Sequence, residues 1–176
     1  LDANKFISDN GPSGTNSISG TLYFWEHYGG DTHNLADYQA GYGTYNYSGS
    51  TPAASAATAH PDVNGGGSAA KTPGRYIAVG QGFFVWRNAT SGVSNIVFNN
   101  SQRSGFYTEG NPANSIFMKS ASAKTAKTTT QANTDTRPKI RLGFNAPEID
   151  HRQILLTIDE NSTNAVDWGY DAKIYE

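Results

Sequence analysis

Thr21-Leu22-Tyr23-Phe24-Trp25-Glu26 is the stretch that decides the fold class. Consecutive aromatic rings beside a leucine and a β-branched threonine suit a pleated surface. Moving outward, the same period-two habit recurs. Residues 41–47 set Tyr42, Tyr45 and Tyr47 among small polar residues, which suits a partly exposed strand. Residues 75–79 and 82–87 form two runs split by Gly80-Gln81, and residues 93–98 form another. Ile140, Leu142 and Phe144 face one way, with Arg141 and Gly143 on the other. Residues 153–158 are the most apolar run. Short strands with turn signals between them predict an all-β fold, an antiparallel β-sandwich of jelly-roll type. Its expected core is Leu22, Phe24, Ile77, Val79, Phe83, Val85, Ile96, Phe98, Leu142, Phe144, Leu155 and Ile158.

Helix is expected only as single turns at residues 3–8 and 35–39, both too short to sustain themselves. Residues 48–72 and 119–137 lack large apolar side chains in their Ser, Thr, Ala and Gly stretches, so both read as long surface loops. No internal repeat is visible, which argues against a solenoid.

The chain has 176 residues, the size of one domain, so a single sandwich over 1–176 is expected. Charged residues make up 16% and the net charge is -2, too few cations for a nucleic-acid footprint or a basic membrane-surface face. No apolar run reaches the roughly 20 residues needed to span a bilayer, so membrane insertion is not expected. Cysteine is absent, which excludes disulfides and thiolate metal sites. Leu1-Asp2-Ala3-Asn4-Lys5 reads as the middle of something, so a fragment or processed product of a longer protein is expected.

Five phrases carry a family resemblance. They are Leu1-Asp2-Ala3-Asn4-Lys5-Phe6-Ile7, Thr21-Leu22-Tyr23-Phe24-Trp25-Glu26-His27, Ile77-Ala78-Val79-Gly80-Gln81-Gly82-Phe83-Phe84-Val85, Ile96-Val97-Phe98-Asn99-Asn100-Ser101-Gln102-Arg103 and Gly169-Tyr170-Asp171-Ala172-Lys173-Ile174-Tyr175. In this order the chain resembles the β-rich extracellular region upstream of the type IX secretion sorting domain in Bacteroidetes cell-surface and secreted proteins. The resemblance implies a secreted or cell-surface address, a β-rich fold and other modules of a parent protein as neighbours. It implies little about activity, and a Gly-Asn-Pro-Tyr phrase usual before the start is missing here.

Candidate chemistry is sparse. Asp159, Asp167 and Asp171 lie in an Asp, Asn and Gly-rich tail. Such a tail has the oxygens a Ca²⁺ ion wants, and equally the residues that cap turns. Residues 60–65, His-Pro-Asp-Val-Asn-Gly, divide between a metal loop and a plain turn in the same way. His27, His33, His60 and His151 form no metalloprotease phrase, and no Gly-x-Ser-x-Gly elbow appears. A carboxylate pair for polysaccharide hydrolysis would have to come from Glu26, Asp31, Glu109 and Asp150, on separate parts of the chain.

Aromatic side chains offer better binding chemistry. Sugar rings stack on Trp and Tyr faces through their C–H patches, while neighbouring polar groups bond the hydroxyls. Trp168, Trp86, Tyr42, Tyr45 and Tyr47 are the ligand-binding candidates, with Trp25 between binding and core. Trp168, in an Asp-Trp-Gly-Tyr-Asp turn, is expected to be exposed. The sequence therefore reads as a non-catalytic adhesion or carbohydrate-binding module for a polysaccharide or cell-surface glycan. Its rivals are a structural spacer beside a sorting domain and a polysaccharide hydrolase.

Overall fold

The computed structural model describes residues 1–29, 39–53, 71–90, 92, 95–103, 135–146 and 149–172. The fold is mostly β, with one short helix and two antiparallel sheets. Helix α1 spans Ala3–Asn10, and the strands are β1 Ile18–Gly29, β2 Gln39–Asn46, β3 Gly49–Thr51, β4 Phe84–Arg87, β5 Lys139–Ala146 and β6 Ile149–Thr157. The larger sheet has the order β3-β2-β1-β4, and β5 pairs with β6 as a separate hairpin. Among the described residues no helix is long and apolar enough to cross a membrane.

β1 is the central strand because its alternation serves two surfaces. Ile18, Leu22 and Phe24 face inward and are buried, whereas Trp25 points to the opposite side. The β1–β2 register sets Leu22 opposite Tyr45 and Trp25 opposite Tyr42. The β1–β4 register sets Leu22 opposite Val85 and Tyr23 opposite Phe84.

The inward face is covered by α1. Asp2 caps the helix, its Oδ1 accepting from the Asn4 N–H at 3.1 Å. Ala3, Phe6 and Ile7 then join Ile18, Leu22, Phe24, Tyr45 and Ile77 in one apolar core. The Phe6 ring meets Phe83 edge-on at 5.3 Å and Phe98 at 5.0 Å. Asp2 also grips the chain 73 residues away, through paired bonds from Arg75 Nε at 3.0 Å and Nη2 at 2.8 Å. Burial opposes the Asp2 charge, but the Arg75 contacts prevail and hold its carboxyl below the usual range.

Polar side chains do the work of a strand at the helix C-terminus. Asn10 is fully buried. Its Nδ2 donates to the Val97 carbonyl at 3.0 Å and its Oδ1 accepts from the Val97 N–H at 2.7 Å. Gln102, also fully buried, donates to Asp9 at 2.9 Å and to the Val97 carbonyl at 3.1 Å. Asn99 and Gln102 cap a single 3₁₀ turn, Asn100–Gln102, with a reciprocal side-chain box. The expected strand at 93–98 is thus not one over its described residues. Val97 takes its main-chain partners from the Asn10 and Gln102 side chains instead.

The hairpin is fastened to the β2–β3 corner. Thr157 Oγ1 donates to the Ser48 carbonyl at 2.7 Å, and Arg137 Nη2 donates to the Tyr47 carbonyl at 2.8 Å. Arg137 also pairs with Asp135 and, in a close contact, Asp159.

Several expected core residues are corrected here. Leu22, Phe24 and Ile77 are buried, and Phe83 and Val85 pack against the core from half-buried positions. Leu155 is half-buried. Val79 is exposed because it sits at a turn closed by the Gln81 N–H on the Ala78 carbonyl, with Gly80 at φ +81°. Ile96 and Phe98 are exposed on either side of Val97. Leu142, Phe144 and Ile158 are exposed with Ile140, Ile154 and Leu156. Their register puts Ile140 opposite Leu156 and Leu142 opposite Ile154, so one face of the hairpin is apolar and outward. β3 lies in a stretch expected to be loop, and residues 75–79 contribute an isolated bridge, Asp2 to Tyr76, instead of a strand. The helical turn expected at 35–39 lies almost wholly outside the described residues.

Candidate functional site

The outward face of the larger sheet carries the most distinctive surface chemistry. Four exposed rings stand there: Trp25 is 37% exposed, Tyr42 46%, Phe84 61% and Trp86 48%, while Tyr23 on the same face is buried. Each follows from alternation against an inward neighbour. Phe24 turns in and Trp25 out, and Phe83 and Val85 turn in while Phe84 and Trp86 turn out. Trp25 and Tyr42 are directly opposed in the ladder, and their rings meet edge-on at 4.8 Å. Tyr42 meets Phe84 edge-on at 5.8 Å. Because β1 lies between β2 and β4, this second contact crosses over the central strand. Trp25, Tyr42 and Phe84 thus form one joined row of rings, an aromatic platform with Trp86 two residues along β4 from Phe84. Beside it, Thr44 and Thr51 are opposed in the β2–β3 ladder, and their hydroxyls lie 2.7 Å apart.

The expected binding residues separate into two groups. Trp86 and Tyr42 belong to the platform. Tyr45, Tyr47 and Trp168 do not. Tyr42 and Tyr45 are three residues apart on one strand and therefore point to opposite faces. Tyr45 is buried against the core, its hydroxyl donating to Asn4 Oδ1 at 2.8 Å. Burial pushes its phenol well above the usual range. Tyr47 is half-buried, and its hydroxyl donates to the Asn4 carbonyl at 3.3 Å.

Trp168 is not the exposed ring the sequence suggested. Its indole Nε1 donates to the Ile18 carbonyl at 2.9 Å, and its ring packs against Tyr47 at 6.2 Å. Gly11 and Gly20 leave space for that ring. A Cβ on Gly11 would lie 2.1 Å from the indole, and one on Gly20 would meet the Gly169 backbone at 2.7 Å. The following residues tie the tail to β2, with the Tyr47 N–H donating to the Gly169 carbonyl at 2.8 Å. Trp168 is a fastening residue beneath the sheet corner.

The three tail aspartates accept hydrogen bonds from residues close to them in the chain. Asp159 accepts from the Asn161 N–H at 2.8 Å and from Arg137, and both hold its carboxyl below the usual range. Asp167 accepts from the N–H and the hydroxyl of Thr163. Asp171 accepts from the Asp167 N–H at 2.7 Å. Asp159 is thus an Asx turn, bonding the N–H two residues on, whereas Asp167 and Asp171 each bond an N–H four residues earlier. Among the described residues no group of three His, Asp or Glu side chains is placed to hold a metal ion. The 60–65 phrase, His33, Asp31 and Glu109 lie outside the described residues. Glu26 is 1% exposed on the inward side of β1, away from any surface where a polysaccharide would lie.

Sequence reasoning underrated Trp25 and overlooked Phe84. The signal was present: in an amphipathic strand, the ring adjacent to a core ring faces the other way.

A family model described as a domain of unknown function, DUF8693, matches residues 1–176. The chain belongs to the DUF8693 family. No curated protein matches this DUF8693 chain. No solved structure matches it either.

Proposed function

We propose that this DUF8693 chain is a non-catalytic, extracellular binding or adhesion module that takes a polysaccharide or cell-surface glycan on its aromatic platform. The observation that carries the reading is the row Trp25, Tyr42 and Phe84, joined ring to ring across three strands and open to solvent. Large contiguous exposed apolar surface marks interaction sites. Sugar C–H patches match aromatic faces, and the Thr44 and Thr51 hydroxyls beside them suit sugar hydroxyls. A secreted or cell-surface address accords with the resemblance to regions preceding type IX sorting domains. In architecture the reading extends to a jelly-roll sandwich, which takes more strands than the six described.

A glycan microarray probed with the wild type, Trp25→Ala and Trp86→Ala tests the proposal. Spots bound by the wild type should fade with both variants while the melting temperature holds. Equal binding by all three proteins would remove the platform from the account.

A second reading, a spacer supporting a neighbouring module, is favoured by one feature. The outward apolar face of β5–β6, with Ile140, Leu142, Phe144, Ile154 and Leu156 exposed, suits packing against another module of a parent protein. A wild type that binds no glycan yet melts several degrees higher when joined to its natural neighbour would favour this reading.

A further inference from the structure

Resting on the platform reading, we infer that the site selects uncharged glycans over anionic ones. The outward face of the larger sheet is built from Trp25, Tyr42, Phe84 and Trp86 around a buried Tyr23, with Thr44 and Thr51 beside them, and no Lys, Arg, Asp or Glu shares the face in the described β1–β2, β1–β4 and β2–β3 registers. The charged residues of these strands are Glu26 and Arg87. Glu26 is buried on the inward side, and the register sets Arg87 opposite the core-facing Ile18.

This composition decides between two classes of polymer. Uronic-acid, sulfated or phosphorylated glycans carry regularly spaced anions. A protein that recognises them places Lys or Arg along the path, and its affinity falls as salt screens the attraction. A face of rings would instead strip water from those anions without a cation in return, which costs free energy. Neutral hexose or pentose units impose no such cost. Their C–H faces lie on the rings, and their hydroxyls meet hydroxyls. Thr44 and Thr51 share one bond, so the pair still has an O–H to donate and lone pairs to accept with. The surface therefore fits a neutral polysaccharide on both counts.

Affinity electrophoresis of the full 176-residue chain separates the possibilities. One set of gels contains neutral polymers (β-glucan, xylan, mannan) and the other contains anionic polymers (polygalacturonate, alginate, heparin). The wild type should be retarded by at least one neutral polymer and by no anionic one. Retardation should change less than about twofold between roughly 50 and 500 mM salt, because no screened charge pair contributes. Trp25→Ala should weaken it by about tenfold or more, and Thr44→Val, which keeps the shape and removes one hydroxyl, by severalfold. Circular dichroism melts confirm that the variants are folded. Retardation by anionic polymers alone, falling as salt rises, would overturn the selection for uncharged glycans and leave a glycan-binding platform standing. A folded wild type retarded by neither set would overturn both readings together.

Discussion

Replacing Trp168 separates a fastening residue from a ligand-binding one. Trp168→Ala removes a half-buried indole, its bond to the Ile18 carbonyl and its contact with Tyr47. Deleting a large aromatic side chain from a core costs about 3–5 kcal/mol, and a half-buried site belongs at or below the low end, about 2–3 kcal/mol. For a chain of this size each kcal/mol lowers the melting temperature by roughly 2–4 °C, so a fall of about 4–12 °C is expected. Trp168→Phe keeps a ring but loses the N–H donor, and should cost about 1 kcal/mol. Gly11 supplies an independent check. Its backbone, at φ -94° and ψ -167°, is one any residue can adopt, so the cost of Gly11→Ala is steric and comes from the indole 2.1 Å from the added Cβ. Removing the indole should relieve that strain. In a double-mutant cycle, Gly11→Ala should therefore cost at least about 1 kcal/mol less in the Trp168→Ala background. Thermal and urea unfolding followed by circular dichroism measure all four proteins. An unchanged melting temperature for Trp168→Ala, or strictly additive costs in the cycle, would refute the packing described.

Further outcomes follow from the same structure. Asn10→Ala should destabilise by about 1–3 kcal/mol in urea unfolding, because the Val97 N–H loses its partner beside the buried Asn10 site and the Val97 carbonyl keeps only the Gln102 amide. A cost under about 0.5 kcal/mol would show that residues 95–99 are held otherwise. Asp2, Asp135 and Asp159 have folded pKa values depressed below their ordinary ones. Their contribution is present above the unfolded carboxylate value, about 4, and is lost as pH falls through the lower folded values. Melting temperature should accordingly decline below about pH 4, and a flat profile there would contradict these pairings. Calcium or EDTA should leave the melting temperature within error, since the Asp159, Asp167 and Asp171 carboxylates already accept local hydrogen bonds. A rise of several degrees with calcium would establish a metal site there.

Much of the sheet was legible in the sequence. β1, β2, β4, β5 and β6 all lie on runs with alternating or aromatic patterns, because alternation is a local property that a short window reveals. What covers each face is not local, and the errors lie there. Leu142 and Phe144 alternate as well as Leu22 and Phe24 do, yet only the latter find α1 and its neighbours above them. Residues 96 and 98 alternate too, but their segment bonds to Asn10 and Gln102, side chains outside any strand pattern. Trp168 looked exposed because its Asp, Gly and Tyr neighbours are turn-formers. The carbonyl that holds it lies 150 residues earlier in the chain. Treating Tyr42, Tyr45 and Tyr47 as one strip ignored the odd spacing between the first two, which sends them to opposite faces. The aspartate tail was ambiguous from the start, since calcium loops and capped turns draw on the same residues. The platform itself was half legible: Trp86 and Tyr42 were identified, while Phe84 and the outward turn of Trp25 emerge only once β1 is flanked by β2 and β4.

The central claim, that the platform is the glycan site, meets its most direct test in intrinsic tryptophan fluorescence. Trp25 and Trp86 stand on the platform, while Trp168 lies beneath the sheet corner with its N–H engaged. Titration of the wild type with neutral polysaccharide should give a saturable blue shift as the exposed indoles leave water. The double variant Trp25→Ala/Trp86→Ala, in which Trp168 is the remaining tryptophan, should give none. A saturable shift that persists in the double variant, or its absence from the folded wild type with every neutral polysaccharide tried, would contradict the account.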